Sequence, residues 1–288
     1  MKAAVYYKNG PPDVLQYEDV PDPAVTPGGV LIKVEAVSIE GGDTLNRLGG
    51  PLLSNPHIVG YQAAGTIVEV GEGVTDRVVG DRVVATSFNG SHAELFAVPS
   101  LITWKIPEGA DIVSCACVPV AFGTADDCLF EFGRLEAGET VLIQAGAGGV
   151  GMAAIQLAKR TGAVTIATAS SLERLEPLRK LGLDHAVDYS NDGWVDEVRQ
   201  LTDGRGVDLV VDSVGGATLQ KSVACLAYRG RAVTVGSAGR DFTPFDAGVL
   251  GMNNQSLTGV FLGAEIATPR AQEMIGGLVD DVARGDLT

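Results

Sequence analysis

The sequence predicts an α/β protein in two parts, a mainly antiparallel β domain followed by a domain built on a doubly wound parallel sheet. Three observations carry this. Short β-branched runs separated by Gly and Pro turns fill residues 1–110. Beyond Cys115, short apolar runs alternate with stretches of helical periodicity. A glycine-rich turn, 146–151, stands between one such run and the helical stretch after it.

In the first part, 2–7 is short and apolar, and 30–37 reads Val-Leu-Ile-Lys-Val-Glu-Ala-Val. Further β-branched runs lie at 65–70 and 82–86. Between them come Gly10-Pro11-Pro12, Pro21-Asp22-Pro23, Pro27-Gly28-Gly29, Gly71-Glu72-Gly73 and Gly80-Asp81, each a turn signal.

In the second part the expected strands are 141–145, 164–169, 185–189, 208–212, 232–236 and 257–261. The expected helices are 150–161, 172–181, 194–202 and 217–227. Apolar strands alternating with amphipathic helices imply a parallel sheet covered on both faces. Pro177 lies inside 172–181 and is expected to kink or divide that helix. The pattern changes near Ala121, with neither an internal repeat nor a low-complexity linker.

The turn Gly146-Ala147-Gly148-Gly149-Val150-Gly151 satisfies G-x-G-x-x-G in the strand–turn–helix context that makes this spacing meaningful. Gly146 is expected to allow the tight turn, Gly148 the close approach of a diphosphate, and Gly151 the packing of helix on sheet. The free N–H groups of the opening helical turn, with the helix dipole, then face an anion. This reads as a Rossmann dinucleotide site; a glycine turn with no ligand is the alternative.

An NAD site carries Asp or Glu at the end of the second strand, about 20 residues on, to hold the ribose hydroxyls. Here that end reads Thr168-Ala169-Ser170-Ser171, and Arg174 follows one helical turn later. A neutral, hydroxyl-rich corner with a guanidinium suits a 2′-phosphate, so the sequence favours NADP(H). For Arg174 the competing role is a solvated helix charge.

Composition narrows the partners. The 288 residues are 45% hydrophobic and 20% charged, enough for a sizeable core and against disorder. A formal net charge of −15 disfavours nucleic acid and anionic membranes. Cys115, Cys117, Cys128 and Cys225 are too sparse for a disulfide framework, and C-x-C is not a zinc pair. Residues 1–10 lack the apolar run of a signal peptide, and no apolar run reaches the ~18 residues of a membrane span. A cytoplasmic location is the expectation.

Met1-Lys2-Ala3, residues 55–65, residues 145–151 and the run Val-Asp-Leu-Val-Val-Asp-Ser-Val-Gly-Gly at 207–216 together resemble one known family. It is the medium-chain dehydrogenase/reductase superfamily, in its zinc-independent quinone oxidoreductase (zeta-crystallin-like) branch. The resemblance implies a GroES-like catalytic domain over 1–121, a Rossmann NAD(P)-binding domain over 122–262, and a return segment, 263–288, that stops short of the family's usual end. It implies that Thr124 lies beside the nicotinamide, that Arg174 and Tyr189 share the adenosine-phosphate corner, and that Ser213, Val214, Gly236 and Ser237 line the cofactor at later strand ends. Phe261 and Leu262 match the segment that reaches toward the nicotinamide.

Zinc-dependent members place Cys, His-Glu and Cys where this chain has Glu40 or its neighbours, Tyr61-Gln62 and Val120, so no metal is expected. His57 and His92 are expected to be hydrogen-bonded structural residues. The resemblance also shows departures, since the branch carries Asn in place of Glu40 and Tyr in place of Leu45.

The function expected is an NADPH-dependent reductase acting on a small electron-poor substrate, a quinone or an α,β-unsaturated carbonyl. Without zinc, hydrogen-bond donors must polarise the substrate oxygen. Glu40, Asn46, Arg47 and Tyr61 are the candidate cleft residues, with Thr124 orienting the nicotinamide. Glu40 is alternatively a surface carboxylate. The competing function is an NADPH-binding sensor or structural protein with little catalysis. The resemblance also implies a homodimer or larger homo-oligomer, with 257–261 as the apolar edge.

Overall fold

Two patterns of hydrophobic residues build two separate sheet systems, and the chain divides accordingly. The computed structural model describes residues 1–288. One compact unit comprises Met1–Gly123 with Ala264–Thr288, and the other Thr124–Gly263.

The first unit is antiparallel. Strands β1 (Lys2–Tyr6), β2 (Gln16–Asp19) and β4 (His57–Ile58) form a small sheet in the order β2-β1-β4. Strands β3 (Gly29–Ser38), β5 (Gln62–Val70), β6 (Arg82–Thr86), β7 (Leu95–Pro99) and β8 (Thr103–Lys105) form a larger one in the order β7-β3-β5-β6-β8. Its buried face is Val30, Ile32, Ala63, Ile67, Val83, Ala85, Phe96 and Val98. These positions follow the period-two alternation of strands with one face in the core. Gly65 sits where β3 crosses β5 closely, and a Cβ there would meet the Lys33 carbonyl carbon at 2.8 Å.

Helix Gly41–Gly49 connects β3 to the 50s loop. Helix Pro269–Arg284 completes the unit. It starts at the Thr268 cap, whose hydroxyl accepts the Ala271 N–H at 3.3 Å, and ends at Gly285 in the left-handed region, φ 79°. It buries Ala271, Ile275, Leu278, Val279 and Val282, and Trp104 Nε1 donates to the Gln272 carbonyl at 3.1 Å. Sequence reading left 263–288 as an undefined return segment. The Thr-Pro start and helical spacing of these apolar residues were the missed signal.

The second unit holds a six-stranded parallel sheet of β9 (Thr140–Ile143), β10 (Val164–Ala169), β11 (His185–Asp188), β12 (Val207–Asp212), β13 (Leu226–Thr234) and β14 (Ser256–Gly259). The order is β11-β10-β9-β12-β13-β14. From β9 the chain winds outward through β10 and β11, then restarts on the other side of β9 with β12. The switch point therefore lies between the carboxyl ends of β9 and β12, the place where such sheets take ligands. The mainly antiparallel first part and the doubly wound α/β second part are as the sequence predicts.

Details differ at the boundaries. Pro177 divides its helix as expected, giving an α-helical turn Leu172–Leu175 and a 3-10 segment Glu176–Leu181. The helix expected over 217–227 ends at Ala224, and β13 begins at Leu226 rather than 232. The pairing of β13 with β12 shifts register between Val207 and Leu209, and Arg229 takes φ 61°. That irregularity hides the start of the strand from a periodicity reading.

Candidate functional site

The second unit brings its expected cofactor residues to the carboxyl end of the sheet. Helix Gly149–Thr161 follows β9 through Gln144–Gly148, with Gly148 as its N-cap. Glycine offers no side chain to cap the helix. The N–H groups of Gly149, Val150 and Gly151 precede the first helical bond, from Met152 N–H to the Gly148 carbonyl at 2.8 Å. Gly148 and Gly149 are exposed and Val150 partly so, while Gly151 is buried behind them at the switch point.

The glycines act partly for other reasons than those expected. The left-handed residue of the turn is Ala145, φ 53°, not Gly146. Gly146 is required by packing, because a Cβ there would meet the Ala167 Cβ at 2.6 Å. A Cβ on Gly151 would meet Gly146 Cα at 2.7 Å and its carbonyl oxygen at 2.8 Å. A Cβ on Gly148 would meet only the Ala145 carbonyl oxygen, at 3.3 Å. Its bareness is therefore not demanded by the fold and leaves space for a ligand. These features fit the diphosphate of a dinucleotide.

Ser170 ends β10 and Arg174 stands one turn into the next helix, both exposed, with Arg174 Nη1 3.5 Å from Ser170 Oγ. Tyr189, at the end of β11, is half exposed and its N–H bonds the Ala169 carbonyl at 3.0 Å. These three share one end of the sheet. Ser213 and Val214 follow β12, and Gly236 and Ser237 follow β13. The two loops are tied together, since the Ala238 N–H bonds the Ser213 carbonyl and the Gly239 N–H the Val214 carbonyl, each at 3.0 Å. Phe261 is exposed after β14, whereas Leu262 is buried. Thr124, 7% exposed, lies in the helical turn Gly123–Asp126 at the start of this unit, between two π-helical stretches, Val118–Phe122 and Asp127–Glu131.

Sequence reading missed a buried polar chain beneath the switch point. Thr168 Oγ1 donates to Gln144 Oε1 at 2.5 Å, and Gln144 Nε2 donates to Ser222 Oγ at 3.0 Å. Ser222 Oγ is 3.1 Å from Asp212 Oδ2, and Asp212 Oδ1 accepts the N–H groups of Val214 and Gly215 at 3.0 and 2.7 Å. The signal was a Gln directly after β9 and an Asp at the last position of β12.

In the first unit, Glu40 and Tyr61 belong to a second polar cluster. Glu40, half-buried at the end of β3, accepts at Oε1 from Ser38 Oγ at 2.7 Å and from Gln62 Nε2 at 2.6 Å. The fully buried Gln62 in turn accepts the Val120 N–H at 3.0 Å. The positions where zinc-dependent members carry metal ligands thus bond to one another. No group of three or more His, Cys, Asp or Glu is arranged to hold a metal ion.

The Tyr61 hydroxyl accepts from Asn46 Nδ2 at 3.0 Å, leaving its own proton to donate. Burial raises its pKa, and the charge of Asp43 adds to this. Arg47 is turned to the Gly10 carbonyl at 3.2 Å. Asp43, 3% exposed, accepts the Glu40 N–H at 2.8 Å, and burial pushes its carboxyl up to about 6. His92 Nε2 stands 3.6 Å from Asp43 Oδ2, and burial lowers the pKa of His92. His57 accepts the Leu53 N–H at Nδ1, 3.2 Å, and packs edge-on against Tyr6.

Comparison with known proteins agrees with this geometry. Residues 26–108 match the family model of the alcohol dehydrogenase GroES-like domain, and residues 149–279 that of the zinc-binding dehydrogenase. The chain is 37% identical over 243 residues to a 2-haloacrylate reductase of a Burkholderia species, covering 82% of this chain and 73% of that protein. Quinone oxidoreductase from Pseudomonas syringae superposes with a TM-score of 0.93 at 31% identity, over 100% of this chain and 90% of the other. Escherichia coli quinone oxidoreductase, solved in complex with NADPH, superposes with a TM-score of 0.94 at 28% identity and the same coverage, 100% and 90%. A GroES-like antiparallel unit, a Rossmann-type parallel sheet with a bare glycine turn at its switch point, and these relatives lead to one assignment: the chain belongs to the medium-chain dehydrogenase/reductase superfamily, in its quinone oxidoreductase branch.

Proposed function

We propose that this protein is an NADPH-dependent oxidoreductase that reduces a quinone or another electron-poor alkene, such as an α,β-unsaturated carbonyl or a haloacrylate. The observation that carries the reading is the uncapped glycine turn at the switch point, with Ser170 and Arg174 paired at the next strand end and no carboxylate in the ribose position. A reductase of haloacrylate and quinone oxidoreductases among its relatives support the substrate class.

When bound, NADPH supplies the hydride. The chain's own residues bind and orient. The N–H groups of Gly149, Val150 and Gly151 take the diphosphate, while Arg174 with Ser170 and Tyr189 takes the 2′-phosphate end. Ser213, Val214, Gly236 and Ser237 line the middle, and Thr124 with the Phe261–Leu262 backbone orients the nicotinamide. In the first unit, Tyr61 keeps its proton at neutral pH and donates a hydrogen bond to the substrate oxygen. Glu40 is held by Ser38 and Gln62 and acts as a positioning group. We infer further that copies of the chain pair through β14, the end strand of the parallel sheet, and light scattering at twice the monomer mass checks this.

The test is steady-state oxidation of NADPH with a panel of quinones, enones and haloacrylates, run beside Tyr61→Phe. Turnover with at least one class, reduced by the variant, supports the reading. Saturable NADPH binding with no turnover across the panel would instead make the protein a dinucleotide-binding one.

A further inference from the structure

The buried chain Thr168–Gln144–Ser222–Asp212 crosses three adjacent interior strands and the helix Gly216–Ala224, directly under the switch point. All four side chains are buried, at 1% exposure or less. Its last member holds the Ser213–Gly215 turn by two backbone N–H groups, and that turn in turn holds the loop after β13.

The protons available around Ser222 bear on the state of Asp212. A serine hydroxyl has one proton and two lone pairs. Ser222 Oγ has three neighbours in hydrogen-bond range: Gln144 Nε2 at 3.0 Å, the Thr218 carbonyl at 2.8 Å and Asp212 Oδ2 at 3.1 Å. The amide can only donate and the carbonyl can only accept. The shorter contact, to Thr218, takes the serine proton in the back-bonding common for Ser in helices. The contact to Asp212 is then a hydrogen bond only if the carboxyl supplies the proton; with an ionised Asp212 the serine proton would serve Oδ2 and leave the 2.8 Å contact to Thr218 without one. Exchanging the Gln144 amide oxygen and nitrogen does not change this. With three acceptors around one serine proton, a proton on Asp212 would then still add a second hydrogen bond.

The groups hydrogen-bonded to Asp212 include no Arg, Lys or His. Burial raises its pKa against the opposing N–H bonds from Gly215 and Val214. A carboxylic acid whose Oδ1 accepts two N–H groups and whose Oδ2–H donates to Ser222 satisfies every atom of the network. An ionised Asp212 would instead leave a full negative charge buried with no cationic partner.

We propose that Asp212 is a neutral carboxylic acid and, through Ser222 and Gln144, the positioning residue that fixes the Ser213–Gly215 turn for an anionic dinucleotide. The positioning half rests on the NADPH reading above; the neutral-acid half does not.

Asp212→Asn is isosteric with the neutral acid, because its oxygen accepts the same two N–H groups and its Nδ2 donates to Ser222. The variant is expected to keep the wild-type denaturation midpoint and an NADPH Kd within about twofold, a difference below the tenfold of 1.4 kcal/mol. Asp212→Leu is expected to raise that Kd at least ~tenfold. The direct readout is infrared spectroscopy of the full-length wild type at pH 8. It should show a carboxylic-acid carbonyl band that Asp212→Asn removes and Ser222→Ala shifts. No such band, or an Asp212→Asn protein that folds but loses NADPH affinity at least tenfold, overturns the proposal. A band that responds to both variants in a protein that never binds NADPH overturns the cofactor reading and the positioning role, and leaves the neutral acid standing.

Discussion

Gln62 is bonded to Glu40, its Nε2 donating to Glu40 Oε1 at 2.6 Å while its own Oε1 accepts the Val120 N–H at 3.0 Å. One fully buried amide thus fixes the carboxylate that follows β3 and the backbone inside the π-helical stretch Val118–Phe122. Gln62→Leu strands the Val120 N–H and removes a donor from Glu40. It is expected to lower unfolding free energy by roughly 1–3 kcal/mol, read by urea denaturation. An unchanged midpoint would show that the bridge adds nothing.

The glycine turn allows fold and ligand effects to be separated. In Gly151→Ala the new methyl meets Gly146 backbone at 2.7 and 2.8 Å, so both stability and dinucleotide affinity should fall. In Gly148→Ala it meets only the Ala145 carbonyl oxygen at 3.3 Å. Stability should then stay within about 1 kcal/mol of wild type, while NADPH affinity drops at least ~tenfold. Thermal denaturation with and without NADPH checks both. A Gly148→Ala protein binding NADPH as wild type would remove the diphosphate from this turn.

Arg174 and Ser170 predict cofactor choice. NADPH should bind at least ~tenfold more tightly than NADH, and Arg174→Ala should erase most of that difference by weakening NADPH alone. Isothermal titration with both cofactors measures it. Equal affinities in the wild type would refute the assignment of the 2′-phosphate to this corner.

Much of this was legible because it rests on local chemistry. Pro177 cannot continue a helix, and 146–151 is read from spacing and context. What was not legible depends on partners distant in sequence. Helix Gly41–Gly49 opens with two glycines and has Asp43 as its one buried residue, so no run of core positions marks it in the sequence. Gln144 and Asp212 look like the polar ends of strands until the sheet order places Ser222 between them. The role expected of Gly146 fell on Ala145 because which residue bears the left-handed conformation depends on how the turn packs on β10.

Asp43 predicts a pH dependence of stability. Burial raises its folded-state pKa from 3.8 to about 6, so the folded protein binds this proton more tightly than the unfolded chain. The sign follows: its contribution is fully present below 3.8 and is lost as pH rises through about 6. At pH 8 the loss is on the order of 3 kcal/mol. Asp43→Asn should therefore gain stability relative to wild type between pH 4 and pH 8, by urea denaturation at both ends. A constant difference between the two proteins across that range would contradict the assignment.

The proposed reductase activity depends above all on a reduced dinucleotide seated on the N–H groups of Gly149, Val150 and Gly151. Its most direct measurement is a fluorescence titration of the purified chain with NADPH, repeated with Gly148→Ala. A saturable signal is expected in the wild type, weakened at least ~tenfold in affinity in the folded variant. A flat titration of the folded wild type, or equal binding by the two proteins, would contradict it.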